Sequence, residues 1–237
     1  MSEHMTRAFD ADLHELALKI TEMGHIDEKQ ISDAIEALAR CDATLAVQVI
    51  AADDQVDALQ HEIEEKAIVT IARRQPMAVD LREIVGALRI ANDLERVGDL
   101  AENVAKRVLL LGREAPINDA VFQLQRMAQL VLDQLRRVLD SYARRDLAEA
   151  LIVWRRDEEV DGLNNSLFRE LLTYMMEDPH KISSCTHLLF CAKSIERMGD
   201  HATNIAESVY YVVEGQPLLK ERPMADITSK QTLPLPA

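Results

Sequence analysis

The sequence Leu-Glu-Arg-Val-Gly-Asp at residues 94–99 returns as Ile-Glu-Arg-Met-Gly-Asp at residues 195–200. The agreement continues through residues 101–103 and 202–204, where both copies begin with Ala and end with Asn. Two stretches this similar, 101 residues apart, indicate an internal repeat. We therefore expect two copies of one small domain, each with a carboxylate pair of its own.

The composition is typical of a helical protein and argues against bulk binding of nucleic acid. Of 237 residues, 48% are apolar and only 4% are aromatic, while 41 Asp and Glu outweigh 27 Lys and Arg. The net charge of −14 offers no basic surface for phosphates. The N-terminal residues are polar, without the apolar core of a signal peptide, and no apolar run reaches the ~20 residues that span a bilayer. We expect a cytoplasmic protein.

Apolar residues recur every three or four positions along most of the chain, which is the spacing of amphipathic helices. One such stripe contains Val49, Val56 and Ile63. Strand-like alternation is absent from the sequence. We predict six long helices, at about residues 7–40, 43–74, 77–112, 117–144, 147–177 and 180–214.

Helix caps and breakers divide the chain into two halves. Asp42 and Asp146 are suitable N-caps, and Gly112 and Gly215 are suitable helix ends. The predicted fold class is all-α, with two tandem, pseudo-repeated three-helix bundles and a Pro-rich C-terminal tail. The expected bounds are 1–114 for the first bundle, 115–215 for the second and 216–237 for a disordered tail.

Four acid pairs fall at matching heights on neighbouring helices. Residues four apart lie on one face of a helix, one turn from each other. The prolines at 76 and 179 mark hairpin tips, and counting back from each tip pairs Asp57 with Glu95 and Asp161 with Glu196. The same count pairs Asp53 with Asp99 and Asp157 with Asp200. The candidate ligands in the first half are Asp53, Asp57, Glu95, Asp99 and Asn103, and those in the second are Asp157, Asp161, Glu196, Asp200 and Asn204.

The helical angles place these acids beside the core, so we expect two acidic seams open to water. Carboxylate and amide oxygens suit hard or borderline divalent cations such as Mg²⁺, Mn²⁺ or Fe²⁺. Gly98 and Gly199 weaken their helices, and so indicate a close approach by another group. His201, beside Asp200, points elsewhere on the helix, and we expect it at the surface.

The doubled Glu-x-x-x-Asp motif, the turn at residues 74–82 and the segments 175–179 and 195–207 resemble the PhoU family. The resemblance covers residues 5–215 and implies two three-helix bundles that bind Mg, Mn, Fe or Zn ions through the acidic motifs. It implies a negative regulator of the phosphate-starvation response. The expected partners are the phosphate ABC transporter PstSCAB, through its ATPase PstB, and the sensor histidine kinase PhoR. A homodimer and membrane contact only through these partners are expected as well.

Two other functions stay open at this point. A metal-dependent hydrolase could use the same carboxylates, although the sequence has no phosphate-binding loop, nucleophile elbow or zinc-protease motif. A helical scaffold could carry the acids only to remain in solution. We favour a non-enzymatic adaptor.

Overall fold

The computed structural model describes residues 2–112 and 117–218; for residues 2–8 and 157 it describes the backbone alone. Every regular element in these ranges is helical, as predicted. The α-helices are α1 (Ser2–Arg40), α2 (Ala43–Arg74), α3 (Val79–Leu111), α4 (Asn118–Arg144), α5 (Leu147–Arg155), α6 (Asp157–Glu177) and α7 (Ile182–Glu214), and a short 3-10 turn spans Pro179–Lys181.

The helix ends follow the capping residues that the sequence indicated. Asp42 accepts hydrogen bonds from the amides of Thr44 and Leu45 at the start of α2. Asp146 accepts one from the Glu149 amide at the start of α5. Gly112 and Gly215 end α3 and α7 with positive φ angles of 61° and 76°.

The predicted helix over residues 147–177 has the expected extent, and a break at a single residue divides it into α5 and α6. The interruption lies at Arg156 (φ −86°, ψ 2°), between α5 and α6. The Gln134 side chain donates to the Arg156 carbonyl at 3.2 Å, and the Arg156 guanidinium contacts Asp133 at 2.9 Å and Glu159 at 3.1 Å. These contacts tie the break to α4, which a pattern read along one helix does not reveal.

Each half forms a bundle of three long helices, if α5 and α6 are counted as one interrupted helix, and the two bundles pack side by side. In the first half α1, α2 and α3 contact one another, and in the second half α4 and α7 contact both α5 and α6. Between the halves, α3 packs on α7 and α1 packs on α4. α3 and α7 are antiparallel, since Asp93 accepts from Asn204 while Arg107 lies over the Phe190 ring. The two hairpin tips therefore lie at opposite ends of the molecule.

One contiguous hydrophobic core runs through both halves. The predicted stripe on α2 is buried at Val49, Val56 and Ile63, and α3 contributes a longer one. Pro217 and Leu218 follow α7, and Leu218 packs against the core. The rest of the predicted tail lies outside the described residues. Among the helices of the described part, none is long and apolar enough to cross a membrane.

Candidate metal site

Three carboxylates of the first bundle come together between α2 and α3. Asp53, Asp99 and Glu102 each offer an oxygen within 4.8 Å of the other two. Asp53 and Asp99 are one of the pairs that the count from Pro76 predicted. Glu102, one turn beyond Gly98 on the same helix, also pairs with Lys106. We call these three residues, together with Asp27 and Glu95, the first acidic site.

Helix α1 adds Asp27 to this site from the interior. Asp27 is fully buried, and neither of its carboxylate oxygens has a hydrogen-bond partner within the described part of the chain. Its neighbour one turn on, Gln30, is buried as well. A buried carboxyl without a partner is costly unless it is protonated or bound to a cation.

Gly98 allows the three helices to approach at this point. A Cβ atom there would lie 3.1 Å from Asp53 Oδ1, 3.2 Å from Gln30 Oε1 and 3.3 Å from Asp27 Oδ1. Such contacts are tight, so a larger residue would displace the oxygens. The close approach that the sequence indicated at Gly98 is therefore made by oxygen-bearing side chains of α1 and α2.

Three acids of the first site, Asp27, Asp53 and Glu95, hold protons more strongly than isolated carboxyls do. Burial raises the pKa of Asp53 to about 6, and the charges of Glu102, Asp57 and Asp99 add to the rise. Burial raises the pKa of Asp27 well above its usual range, with Asp53 as the next cause. The pKa of Glu95 is also raised, chiefly by burial and then by Asp99. A divalent cation would relieve this repulsion among the carboxylates.

Glu95 and Asp99 also share a counter-charge from their own helix. The Arg96 guanidinium lies 3.2 Å from Glu95 Oε2 and 3.1 Å from Asp99 Oδ2. Arg96 is about half exposed, so it neutralises the outer side of the site and leaves Asp27 uncompensated. Asp57 is exposed, and its negative charge contributes to the raised pKa values of Asp53 and Glu95.

The second acidic site consists of Asp161, Glu196 and Asp200 on α6 and α7. Glu196 is 4% exposed and Asp161 is 3% exposed. Burial raises the pKa of Glu196 to about 7, opposed by a 2.7 Å contact with Lys193 and increased by Asp200 and Asp161. Asp161 thus lies close enough to act on Glu196, the pairing that the count from Pro179 predicted. The side chain of Asp157, the remaining predicted ligand, lies outside the described residues.

The expectation of seams open to water was wrong for Asp161 and Glu196, which are buried. The angular argument considered each helix by itself, whereas the third helix of each bundle packs against the inner side of the seam. In the first bundle, α1 places Asp27 and Gln30 there. In the second, α4 places Gln134 3.5 Å from the Cβ position of Gly199.

The two asparagines that were predicted as ligands, Asn103 and Asn204, have different surroundings in the structure. Asn103 is exposed. Asn204 donates to Asp93 Oδ1 at 3.3 Å, between the two bundles. His201 Nδ1 lies 2.9 Å from the same oxygen, and its side chain is only 15% exposed, so the expectation of a surface histidine was wrong. Asp93 on the opposite helix explains its burial.

Sequence reasoning missed Asp27, Gln30 and Glu102. Glu102 lies inside the repeated stretch, but its counterpart is Thr203, so the comparison of the two copies passed over it.

Gln30 carries a usable signal, since Gln134 follows it by 104 residues, the same offset as between Asp53 and Asp157. Asp27 has no such signal, because Val131 stands at the matching place.

Comparison with known proteins matches both halves of the chain to one family. The model described as "PhoU domain" matches residues 20–108 and again residues 124–209. The phosphate-specific transport system accessory protein PhoU homolog of Rhizobium meliloti (strain 1021) is 53% identical over 226 residues, covering 95% of each chain. These matches coincide with the two copies of the repeat.

Solved structures agree with the fold. The crystal structure of PhoU from Pseudomonas aeruginosa superposes with a TM-score of 0.84 at 40% identity, covering 88% of this chain and 100% of that one. The phosphate transport system regulatory protein PhoU from Streptococcus pneumoniae superposes with a TM-score of 0.82 at 29% identity, covering 89% and 99%.

Proposed function

This chain belongs to the PhoU family, and we propose that it is the accessory protein of a phosphate-specific transport system that restrains phosphate uptake and the phosphate-starvation regulon. The observation that carries the proposal is the relation to the Rhizobium meliloti accessory protein, 53% identical over nearly the whole of both chains. The regulatory protein from Streptococcus pneumoniae, with the same fold, supports the regulatory part.

The proposed activity is that of a cytoplasmic, dimeric adaptor. It contacts the transporter ATPase PstB and the sensor histidine kinase PhoR, and when phosphate is plentiful the contact keeps the kinase from activating its response regulator. Support comes from the antiparallel packing of α3 and α7, which gives the molecule two similar ends. The net charge of −14 suits basic surfaces on its partners.

The proposed adaptor carries divalent or transition metal ions, Mg, Mn, Fe or Zn, at its acidic sites. In the first bundle Asp53 and Asp99 would hold the ion, together with Glu102. In the second bundle Glu196 and Asp200 would do so, with Asp161 beside them. The cation would supply positive charge that fixes α2 against α3, and α6 against α7. All the donors are oxygens, which favours Mg²⁺ and Mn²⁺ over softer metals.

The family relation does not favour the alternative of a metal-dependent hydrolase. The function proposed for this chain is that of a non-enzymatic adaptor. A phosphatase assay with added Mn²⁺ tests this directly. Turnover that disappears in the double variant Glu95→Gln/Asp99→Asn would contradict the proposal.

The partner contact is tested by mixing purified proteins. The full chain is titrated against the PstB ATPase and against the cytoplasmic part of the PhoR kinase from the same organism, with Mn²⁺ and with a chelator. We expect saturable binding to both, strengthened by the metal. Absence of binding to either protein under both conditions would overturn the adaptor function.

A further inference from the structure

The two acidic sites differ in the residue that faces them from the third helix. In the first bundle this residue is Asp27 on α1, fully buried with both carboxylate oxygens unpartnered. Its counterpart 104 residues later is Val131 on α4, an apolar core residue. The first site thus has an interior acid where the second has a methyl surface.

The surroundings of Gly98 and Gly199, which occupy matching positions in the repeat, show the same difference. Three oxygens, from Asp27, Gln30 and Asp53, lie 3.1–3.3 Å from the Cβ position of Gly98. At Gly199 the nearest atoms are Gln134 Oε1 at 3.5 Å and carbon atoms of Val131 and Val160 at 3.6 and 3.8 Å. Oxygen atoms therefore converge in the first bundle at a place where the second packs aliphatic carbon.

A second substitution increases the contrast. Glu102, one of the three convergent acids, is matched in the second bundle by Thr203, which is buried and donates to the Gly199 carbonyl at 3.1 Å. The second site also has a close cation, since Lys193 lies 2.7 Å from Glu196. Among the side chains that the structure describes, its carboxylates are fewer, and Lys193 already neutralises part of their charge.

We infer that Asp27 is an interior ligand for a divalent cation in the first bundle, so that this site binds the cation from three helices and more tightly than the second site does. Asp27 needs a proton or a cation, and its Oδ1 lies beside the same Gly98 Cβ position as the Oδ1 of Asp53, which is one of the three convergent acids. Mn²⁺ and Mg²⁺ prefer oxygen ligands in an octahedral shell, of which carboxylates supply a part and water the rest. The inference rests on the metal binding proposed above.

The test measures Mn²⁺ binding to the full, metal-stripped chain by titration calorimetry and by electron paramagnetic resonance of free Mn²⁺. We expect two classes of site in the unmodified protein. Asp27→Asn, which keeps the shape of the side chain, removes or weakens the tighter class by about tenfold or more. Glu36→Gln changes a half-exposed acid on the same helix, which pairs with Arg40 on the outer surface, and should leave both classes unchanged.

Two more variants keep the test independent of folding. Asp27→Val and Glu102→Thr copy the second bundle into the first, and circular dichroism checks that each is folded. Both should lose the tighter class and its Mn²⁺-dependent rise in melting temperature, while Glu196→Gln/Asp200→Asn should lose the weaker class.

The outcomes separate the two proposals. If the unmodified chain binds no Mn²⁺, the metal binding assigned to the adaptor fails, and the role of Asp27 fails with it. If the chain binds Mn²⁺ and folded Asp27→Asn and Asp27→Val bind it equally well, only the role of Asp27 is overturned.

Discussion

Buried carboxyls are the residues that connect the packing of this protein to its chemistry. Glu196 on α7 and Asp27 on α1 both lie among other acids, but they differ in their neighbours. Lys193 contacts Glu196, whereas Asp27 has no partner in the described part of the chain. The first is a partly compensated acid, and the second depends on a proton or a cation. Protonation of these two carboxyls therefore couples the stability of the protein, and its proposed metal binding, to pH.

Glu196 should make the stability of the metal-free protein fall as the pH rises. Its pKa is about 7 in the folded chain against an ordinary value of 4.5, so between these pH values the folded state holds a proton that the unfolded state has lost. Its contribution is fully present below pH 4.5 and lost as the pH rises through 7. Solvent and Lys193 screen part of this effect, so the amount is about 1–3 kcal/mol.

Urea unfolding of metal-free protein at pH 4.5 to 8 measures this effect. Glu196→Gln should give a flatter profile of the free energy of unfolding against pH, while Glu214→Gln, an exposed acid on the same helix, should not. Parallel profiles for the wild type and Glu196→Gln would contradict the expectation.

The two repeat glycines should respond differently to alanine. At Gly199 the Cβ position has ordinary contacts of 3.5 Å and longer, so Gly199→Ala gains helix propensity and stabilises the protein by up to about 1 kcal/mol. At Gly98 the added methyl presses on oxygens of Asp27, Gln30 and Asp53 at 3.1–3.3 Å.

We therefore expect Gly98→Ala to show little or no gain in stability and to weaken Mn²⁺ binding. Thermal melts and Mn²⁺ titrations of the two variants measure both quantities. Equal gains in stability with unchanged binding would show that the approach of the oxygens to Gly98 has no role.

The helices of this protein are bounded mainly by local chemistry. Asp42, Asp146, Gly112 and Gly215 act within a few residues of themselves, and for this reason the sequence predicted these ends. The break at Arg156 is different, because Gln134 and Asp133 of α4 hold it. A helix end made by its own side chains is predictable, while one made by a neighbouring helix is not.

The cap of α2 gives a prediction at the scale of one element. Asp42 satisfies two free amides, those of Thr44 at 2.9 Å and Leu45 at 3.0 Å. Asp42→Ala should therefore lower the free energy of unfolding by about 1 kcal/mol. Asp54→Ala, an exposed acid within the same helix, is the control and should change it little. Equal effects of the two changes in chemical denaturation would argue against the cap.

At the scale of the whole molecule, the two bundles share one core and several cross-contacts. Arg136 of α4 lies 2.6 Å from Glu28 of α1, and His201 of α7 contacts Asp93 of α3. The Cβ position of Gly86 on α3 lies 2.2 Å from Val212 of α7, so the helices approach as closely as a glycine permits. The halves are repeats in sequence but are joined in packing.

We expect the chain to unfold in one cooperative transition. Differential scanning calorimetry should give equal calorimetric and van't Hoff enthalpies. Gly86→Ala should lower the stability of the whole molecule by about 1–3 kcal/mol through overpacking. Gly162→Ala, where a Cβ would meet no atom within 4 Å, should not lower it. Two separate transitions, with only one shifted by Gly86→Ala, would show that the bundles unfold independently.

The sequence by itself determined the all-α class, the repeat, most helix ends and the pairing of Asp53 with Asp99 and of Asp161 with Glu196. These features depend on periodicity and on counting along two helices joined by a tight turn, and both are local properties. Only the tertiary structure decided that a third helix lines the inner side of each seam, that Asp27 faces one and Val131 the other, and that Asn204 and His201 meet Asp93. Those contacts join residues far apart in the chain, and the rotation and approach of whole helices set them.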